Sequence, residues 1–261
     1  MITMIAGIGK TTLKALQSFG DTLAFAGRVV VSLFDSRTYN SASRMILIHQ
    51  IYFTAVQILP LFLFTALIFG SLINGMVFQV IKDLGLTDLL GRVLMGFVVI
   101  EVSPFMTVLL IALRSSSAIN AEIAVMKVNR ELDMLERFRI DPVHYLFIPR
   151  ILSVMLSMIL LSGLFSLVVL SVGLLVSSVI FGTSVEMYME TLLLSVDFQD
   201  ILVLIVKCAF FGFFITVIPI RLGMRASREL TSIPISVLSG MVKVFLSIVI
   251  IEVLSLIVRF I

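Results

Sequence analysis

The chain has 261 residues, of which 60% are hydrophobic and 13% charged, and its mean hydropathy is +1.19. A soluble domain carries about 25% charged residues, so this composition excludes an ordinary water-soluble globule and predicts an all-α integral membrane protein. The net charge of +3 does not point to nucleic acid, because the basic residues flank apolar runs, where membrane topology accounts for them.

The N-terminal segment, residues 1–45, is amphipathic. Lys10, Lys14, Asp21 and Arg28 interrupt its apolar stretches, so no cleavable leader is expected there. Residues 21–34 are too short and too interrupted to cross a bilayer. They read as a helix lying in the membrane interface, against the plainer alternative of a helix packed on the bundle. Gly9-Lys10-Thr11 resembles the end of a phosphate-binding loop. The pattern fails at Met4, where it needs Gly, and no strand precedes it.

Residues 46–261 form one transmembrane domain. A spanning helix needs roughly 20 apolar residues, and five runs meet that need: about 47–75, 89–113, 146–181, 201–220 and 238–261. The third is long enough to be one tilted helix or two pieces broken near Gly163 or Gly173. With the N-terminus in the cytoplasm, fifteen Lys and Arg residues fall on the cytoplasmic side and three on the other. That imbalance predicts N-terminus in and C-terminus out, which five spans satisfy.

Between the second and third runs lies a charged segment. Val125, Val128, Leu132, Leu135 and Phe138 recur at helical spacing, with Lys127, Arg130, Glu131, Asp133, Glu136 and Arg137 on the other faces. One amphipathic helix over 117–138 is predicted at the cytoplasmic surface. It either connects two spans or docks a soluble partner.

Ionisable residues within spans are costly and face protein or a water-filled cavity. Glu101 lies near the middle of the second span, with no evident intramembrane partner. Lys207 in the fourth span and Glu252 in the fifth fall at similar depths, about 10 and 15 Å below the outer surface, and are expected to pair. Gln57 and Asn74 in the first span are candidates for a polar cavity lining, or for hydrogen bonds between helices. The single cysteine, Cys208, sits in an apolar run, so no disulfide framework exists. His49 and His144 sit at span boundaries, so paired haem ligands are not expected. No Cys/His cluster suggests a metal, and no catalytic constellation is apparent.

One stretch carries a resemblance. Glu101-Val-Ser-Pro104, then Arg114-Ser-Ser-Ser-Ala-Ile-Asn-Ala-Glu-Ile-Ala-Val-Met126, Asp133-Met-Leu-Glu136 and Ile140-Asp-Pro-Val-His-Tyr-Leu-Phe-Ile-Pro-Arg150 resemble, in order and spacing, the MlaE family of ABC permeases, which serve MCE-type lipid transport systems. Lys207 and Glu252 also match family positions. The chain departs from the pattern at Ile100, where the family has Arg, at Ser103, Leu113 and Ser116, where it has Gly, and at Arg130, where it has Glu. The new serines predict looser packing or an altered pocket.

The resemblance implies a homodimer in the bacterial inner membrane. An ABC ATPase would sit on the cytoplasmic side, carrying ATP and Mg, and an MCE-domain protein on the periplasmic side. The chain itself would need no cofactor and catalyse no reaction. A phospholipid or similar amphiphile would occupy a cavity lined by Glu101, Asn74 and Gln57. Lys207 and Glu252 would form a gate or structural pair. Glu122, Val125, Val128, Leu132, Asp133, Leu135 and Glu136 would couple to the ATPase. The alternative reading is an ion- or proton-coupled secondary transporter that uses Glu101 and Lys207 as relay groups. A non-transporting scaffold is a third.

Overall fold

A computed structural model describes residues 20, 22, 24–33, 35, 41–86, 89–182, 184–227 and 229–260. Lys10, Lys14, Asp21, Phe34, Arg37 and Arg228 lie outside the described residues. Every regular element among the described residues is helical.

Helix α1 (Ala24–Leu33) precedes five helices long and apolar enough to cross a membrane. These are α2 (Ser43–Asp83), α3 (Leu90–Val128), α5 (Val143–Ile180), α7 (Phe198–Gly223) and α8 (Ser232–Arg259). Two short helices join them: α4 (Glu131–Arg137) between α3 and α5, and α6 (Val185–Leu193) between α5 and α7. The five spans coincide closely with the five apolar runs, and the third is one unbroken helix through both Gly163 and Gly173.

Local chemistry sets the ends. Asp197 caps α7 by accepting the Gln199 N–H, and Ser184 caps α6 by accepting the Met187 N–H. Gly182, at φ +67°, stops the helix of α5 in the left-handed conformation that glycine adopts without strain.

The packing has a centre and two flanks. Helices α5 and α7 pair at the core; α2 packs on α5, while α8 packs on α7 and on the C-terminal half of α3. Gly212 lets α7 approach α5, since a Cβ there would stand 2.6 Å from the Met155 Cα. The outer faces of α2 and α8 are apolar and exposed, as at Leu61, Phe64, Leu72, Leu238, Val242 and Leu246. Helix α1 packs on one end of the bundle. Its Phe25 is buried against the edge of Phe147 and beneath the Arg221 guanidinium, while Val31 faces outward. Within α1, one face packs on the bundle and the other is exposed.

The segment expected as one surface helix over 117–138 is two helices in different settings. Residues 117–128 continue the second span without a break, and they pack against α7 and α8. Asn120 is buried there and shares hydrogen bonds with Ser236. Arg130 then adopts φ +61°, the left-handed region that non-glycine residues seldom visit, and turns the chain into α4. That turn resets the helical phase. Leu132 is buried and Leu135 half-buried, whereas Val125 and Phe138 are exposed, so the sequence stripe is not one continuous face.

Candidate functional site

The site begins with prolines. A proline inside a helix has no N–H to give to the carbonyl four residues earlier, and a buried carbonyl needs another donor. Pro219 thus leaves the Ile215 carbonyl open, and Ser116 Oγ on the neighbouring α3 donates to it at 2.7 Å. Lys207 Nζ on α7 lies 3.5 Å from Ile100 O, four residues before Pro104. Both contacts tie α3 to α7.

Upstream of Pro104, α3 winds as a π-helix over Leu94–Val102. Such i→i+5 turns are rare and concentrate at functional sites. Glu101 lies in this stretch, buried to 9% exposure, and three further charges converge on it. Lys207 Nζ donates to Glu101 Oε2 at 2.5 Å and to Glu252 Oε1 at 3.0 Å. Arg259 Nη1 donates to Glu101 Oε1 at 2.9 Å and to Gly96 O at 2.6 Å. Gly96 makes room for this arginine, since a Cβ there would stand 2.7 Å from Nη2.

The cluster holds two carboxylates and two cations, so its net charge is zero. Taking ions out of water costs several kcal/mol each unless they are paired and hydrogen-bonded. Charge balance is therefore what allows four ionised groups to sit among three spans.

The expected Lys207–Glu252 contact is made, at 3.0 Å. Glu101, expected without a partner, has two. Arg259 is the member that sequence reasoning missed. A signal existed: Arg259 follows Glu252 by seven residues, two helical turns, and so shares its face of α8.

Gln57 and Asn74 share no hydrogen bond with the cluster. Asn74 is fully buried and donates to Val169 O at 2.8 Å, joining α2 to α5. Gln57 Oε1 accepts from Arg114 Nη2 at 2.7 Å, which bridges α2 and α3.

The serines expected to loosen the packing do the reverse. Ser103 is fully buried, with its Oγ 2.8 Å from Ser166 Oγ on α5. Ser116 is buried and serves Ile215 as described. A hydroxyl in place of glycine adds a hydrogen bond between helices in both cases.

Of the residues expected to couple to a partner, Glu122, Val125 and Val128 lie at the other end of α3, and Leu132, Asp133, Leu135 and Glu136 lie on α4. Glu122 accepts from Arg150 Nη2 at 2.7 Å, and Arg150 is 1% exposed. Asp133 pairs with Lys127 at 3.1 Å across the turn at Arg130. Val125, Glu122 and Glu136 face outward, Val128 is half-buried, and Leu132 and Leu135 pack inward. This end and Glu101 therefore belong to one helix. From Glu101 to Val128 it runs about 40 Å, with a second π-helical stretch at Ala112–Ser116.

Known proteins resemble the chain along most of this length. The family model described as Permease MlaE matches residues 47–258. A "Probable ABC transporter permease protein" of Synechocystis is 32% identical over 158 residues, which are 59% of this chain and 60% of that protein. One from Rickettsia felis is 25% identical over 235 residues, 87% of this chain and 86% of that protein. The "Intermembrane phospholipid transport system permease protein MlaE" of Haemophilus influenzae is 27% identical over 217 residues, 83% of this chain and 82% of that protein. The family match runs from within the first span to the penultimate residue of the last, and includes every member of the charge cluster except Arg259, the next residue. This chain belongs to the MlaE permease family and is an ABC transporter permease subunit.

Proposed function

We propose that the chain moves a phospholipid or a similar two-chain amphiphile, as a homodimer driven by an ABC ATPase on the side of the basic residues. That side carries α4 and the basic residues of 114–150 and 221–243, and the lysine and arginine imbalance supports its facing the cytoplasm. The C-terminus then faces the periplasm of an inner membrane, where an MCE-domain protein would exchange lipid. ATP hydrolysis belongs to the partner, and this chain contributes no catalytic residue.

The observation that carries the reading is the neutral cluster of Glu101, Lys207, Glu252 and Arg259. A zwitterionic headgroup has the same make-up, one cation and one anion at short range. A balanced network can open to it by exchanging partners, phosphate to Lys207 or Arg259 and ammonium to a carboxylate, with no net charge left in the membrane. Glu101 is the pivot, because it bonds both cations.

Drive reaches the cluster along α3. The exposed groups near its C-terminal end, with those of α4, offer the ATPase a surface, and Glu122 braces that end to buried Arg150. Movement there shifts one helix on which Glu101 also sits. The π-helical stretches are where such a helix can bend. Family membership does not favour the ion-coupled alternative built on Glu101 and Lys207.

Purification of the tagged chain from its native membrane in mild detergent tests the assembly. Recovery with one ABC ATPase per permease, an MCE-domain protein and bound phospholipid is expected. Recovery of a stable chain alone, without an ATPase, would count against it.

A further inference from the structure

Helices α2 and α3 both rest on α5 rather than on each other. Near the basic end one contact bridges them. Arg114, in the π-helical turn Ala112–Ser116, donates Nη2 to Gln57 Oε1 at 2.7 Å and Nη1 to Phe53 O at 3.4 Å. Both acceptors are neutral. Lys207, Arg259, Arg150 and Lys127 each have a carboxylate within ion-pair distance; Arg114 has none among the described residues.

Depth places this cation at a headgroup. Gln57 and Lys82 are 25 residues apart on α2, about 38 Å along the axis. The hydrocarbon core is about 30 Å thick, so with Lys82 at the far surface the Gln57–Arg114 contact falls in the polar layer of the near leaflet. Phe53, Val56, Leu61 and Leu113 are exposed around it, as acyl chains require. Arg114 as a residue is half-exposed. It has five donors in a fixed fork that matches phosphate, and the two acceptors hold that fork in one orientation.

We infer that Arg114, positioned by Gln57, binds the phosphate of an anionic phospholipid in the groove between α2 and α3. The net charge of the site selects the lipid. A lone cation with no acid beside it matches a headgroup of net charge −1 and offers nothing to the ammonium of a zwitterionic one. This site lies about 20 Å along α3 from Glu101, so it is separate from the neutral cluster and goes beyond the transport reading.

Native mass spectrometry of the purified transporter tests it, with phosphatidylglycerol and phosphatidylethanolamine of matched chains as probes. The wild type should retain phosphatidylglycerol in preference, and Arg114→Gln should lose one such lipid per chain and bind it at least tenfold more weakly. Arg114→Lys keeps the charge without the fork and should fall between. Gln57→Leu keeps the charge but frees its orientation and should weaken binding several-fold. Glycerol phosphate at millimolar concentration should displace nothing.

Equal retention by folded Arg114→Gln would overturn the inference and leave a merely snorkelling arginine. So would equal binding of the two lipids, or displacement by glycerol phosphate, which would mark a site for soluble phosphate. If Arg114→Gln does not fold, unchanged binding in both Arg114→Lys and Gln57→Leu is decisive against it. Transport is not read in this assay, so its failure leaves the transport reading intact.

Discussion

Arg259 Nη1 lies 2.9 Å from Glu101 Oε1, and so the last span delivers to Glu101 a guanidinium that Ile100, in the adjacent position on α3, cannot provide. The resemblance carried by Glu101–Pro104 leads to the expectation of arginine at position 100. Here the charge balance around Glu101 is kept from another helix. Arg259 is about one-third exposed, so its pairing is partly screened. Arg259→Ala should lower the stability of the purified chain by about 1–2 kcal/mol. The effect should shrink when Glu101 is already Gln. A thermal-melting double-mutant cycle measures this, and additivity would show that the two groups do not interact.

Lys207 serves two carboxylates at once, which makes its removal the harshest single change in the cluster. Lys207→Met leaves two buried acids and one cation and should cost about 3–5 kcal/mol. Glu252→Gln added to Lys207→Met restores neutrality. The double variant should therefore be more stable than Lys207→Met alone, as read by detergent-resistant folding and monodispersity.

Ser116 and Pro219 make a linked pair. Ser116→Ala removes the donor that Pro219 made necessary and leaves the buried Ile215 carbonyl unpaired, at a cost of about 1–3 kcal/mol. Pro219→Ala restores a backbone N–H to that carbonyl. It should recover part of the loss in the Ser116→Ala background while bringing no comparable gain in the wild type. Equal effects in both backgrounds would separate the two residues.

Tyr188 on α6 gives a pH dependence. The residue is buried, its ring stacks on Phe78, and its hydroxyl donates to Leu170 O at 3.0 Å. Burial pushes its phenol up to about 12. In the unfolded chain the phenol titrates near 10. Its contribution is fully present below pH 10 and is lost as pH rises from there towards 12, because the unfolded state releases the proton first. Wild-type melting temperature should fall more steeply than that of Tyr188→Phe across that window. Parallel curves would mean that the phenol is hydrated.

Much of the fold was legible because hydropathy and length are sufficient to find spanning helices. All five appear, and matching depths across α7 and α8 brought Lys207 to Glu252 before any coordinates. The limits of α3 were not legible. The sequence around Asn129 and Arg130 holds no glycine or proline, and only the left-handed backbone of Arg130 reveals where the span ends and α4 begins. Depth along the apolar runs gives Glu101 no arginine partner, because the guanidinium that reaches it comes from the outer end of α8. The Arg259 side chain reaches back from α8 to Gly96 and Glu101. Asn74 was legible only as a choice between lining a cavity and joining helices. Its bond to Val169 O, which depends on how closely α2 meets α5, has no trace in sequence spacing.

The central claim is that the neutral cluster handles the lipid headgroup under drive from an ATPase. Glu101→Gln keeps the shape of the side chain and one acceptor, and it removes the charge that both cations share. The direct measurement is ATP-dependent transfer of a labelled phospholipid in proteoliposomes holding the complete transporter, wild type against Glu101→Gln, with ATPase assembly checked in both. Transfer reduced at least tenfold in a variant that inserts, folds and assembles is the predicted result. Transfer at the wild-type rate would contradict the account and leave the cluster a purely structural clasp.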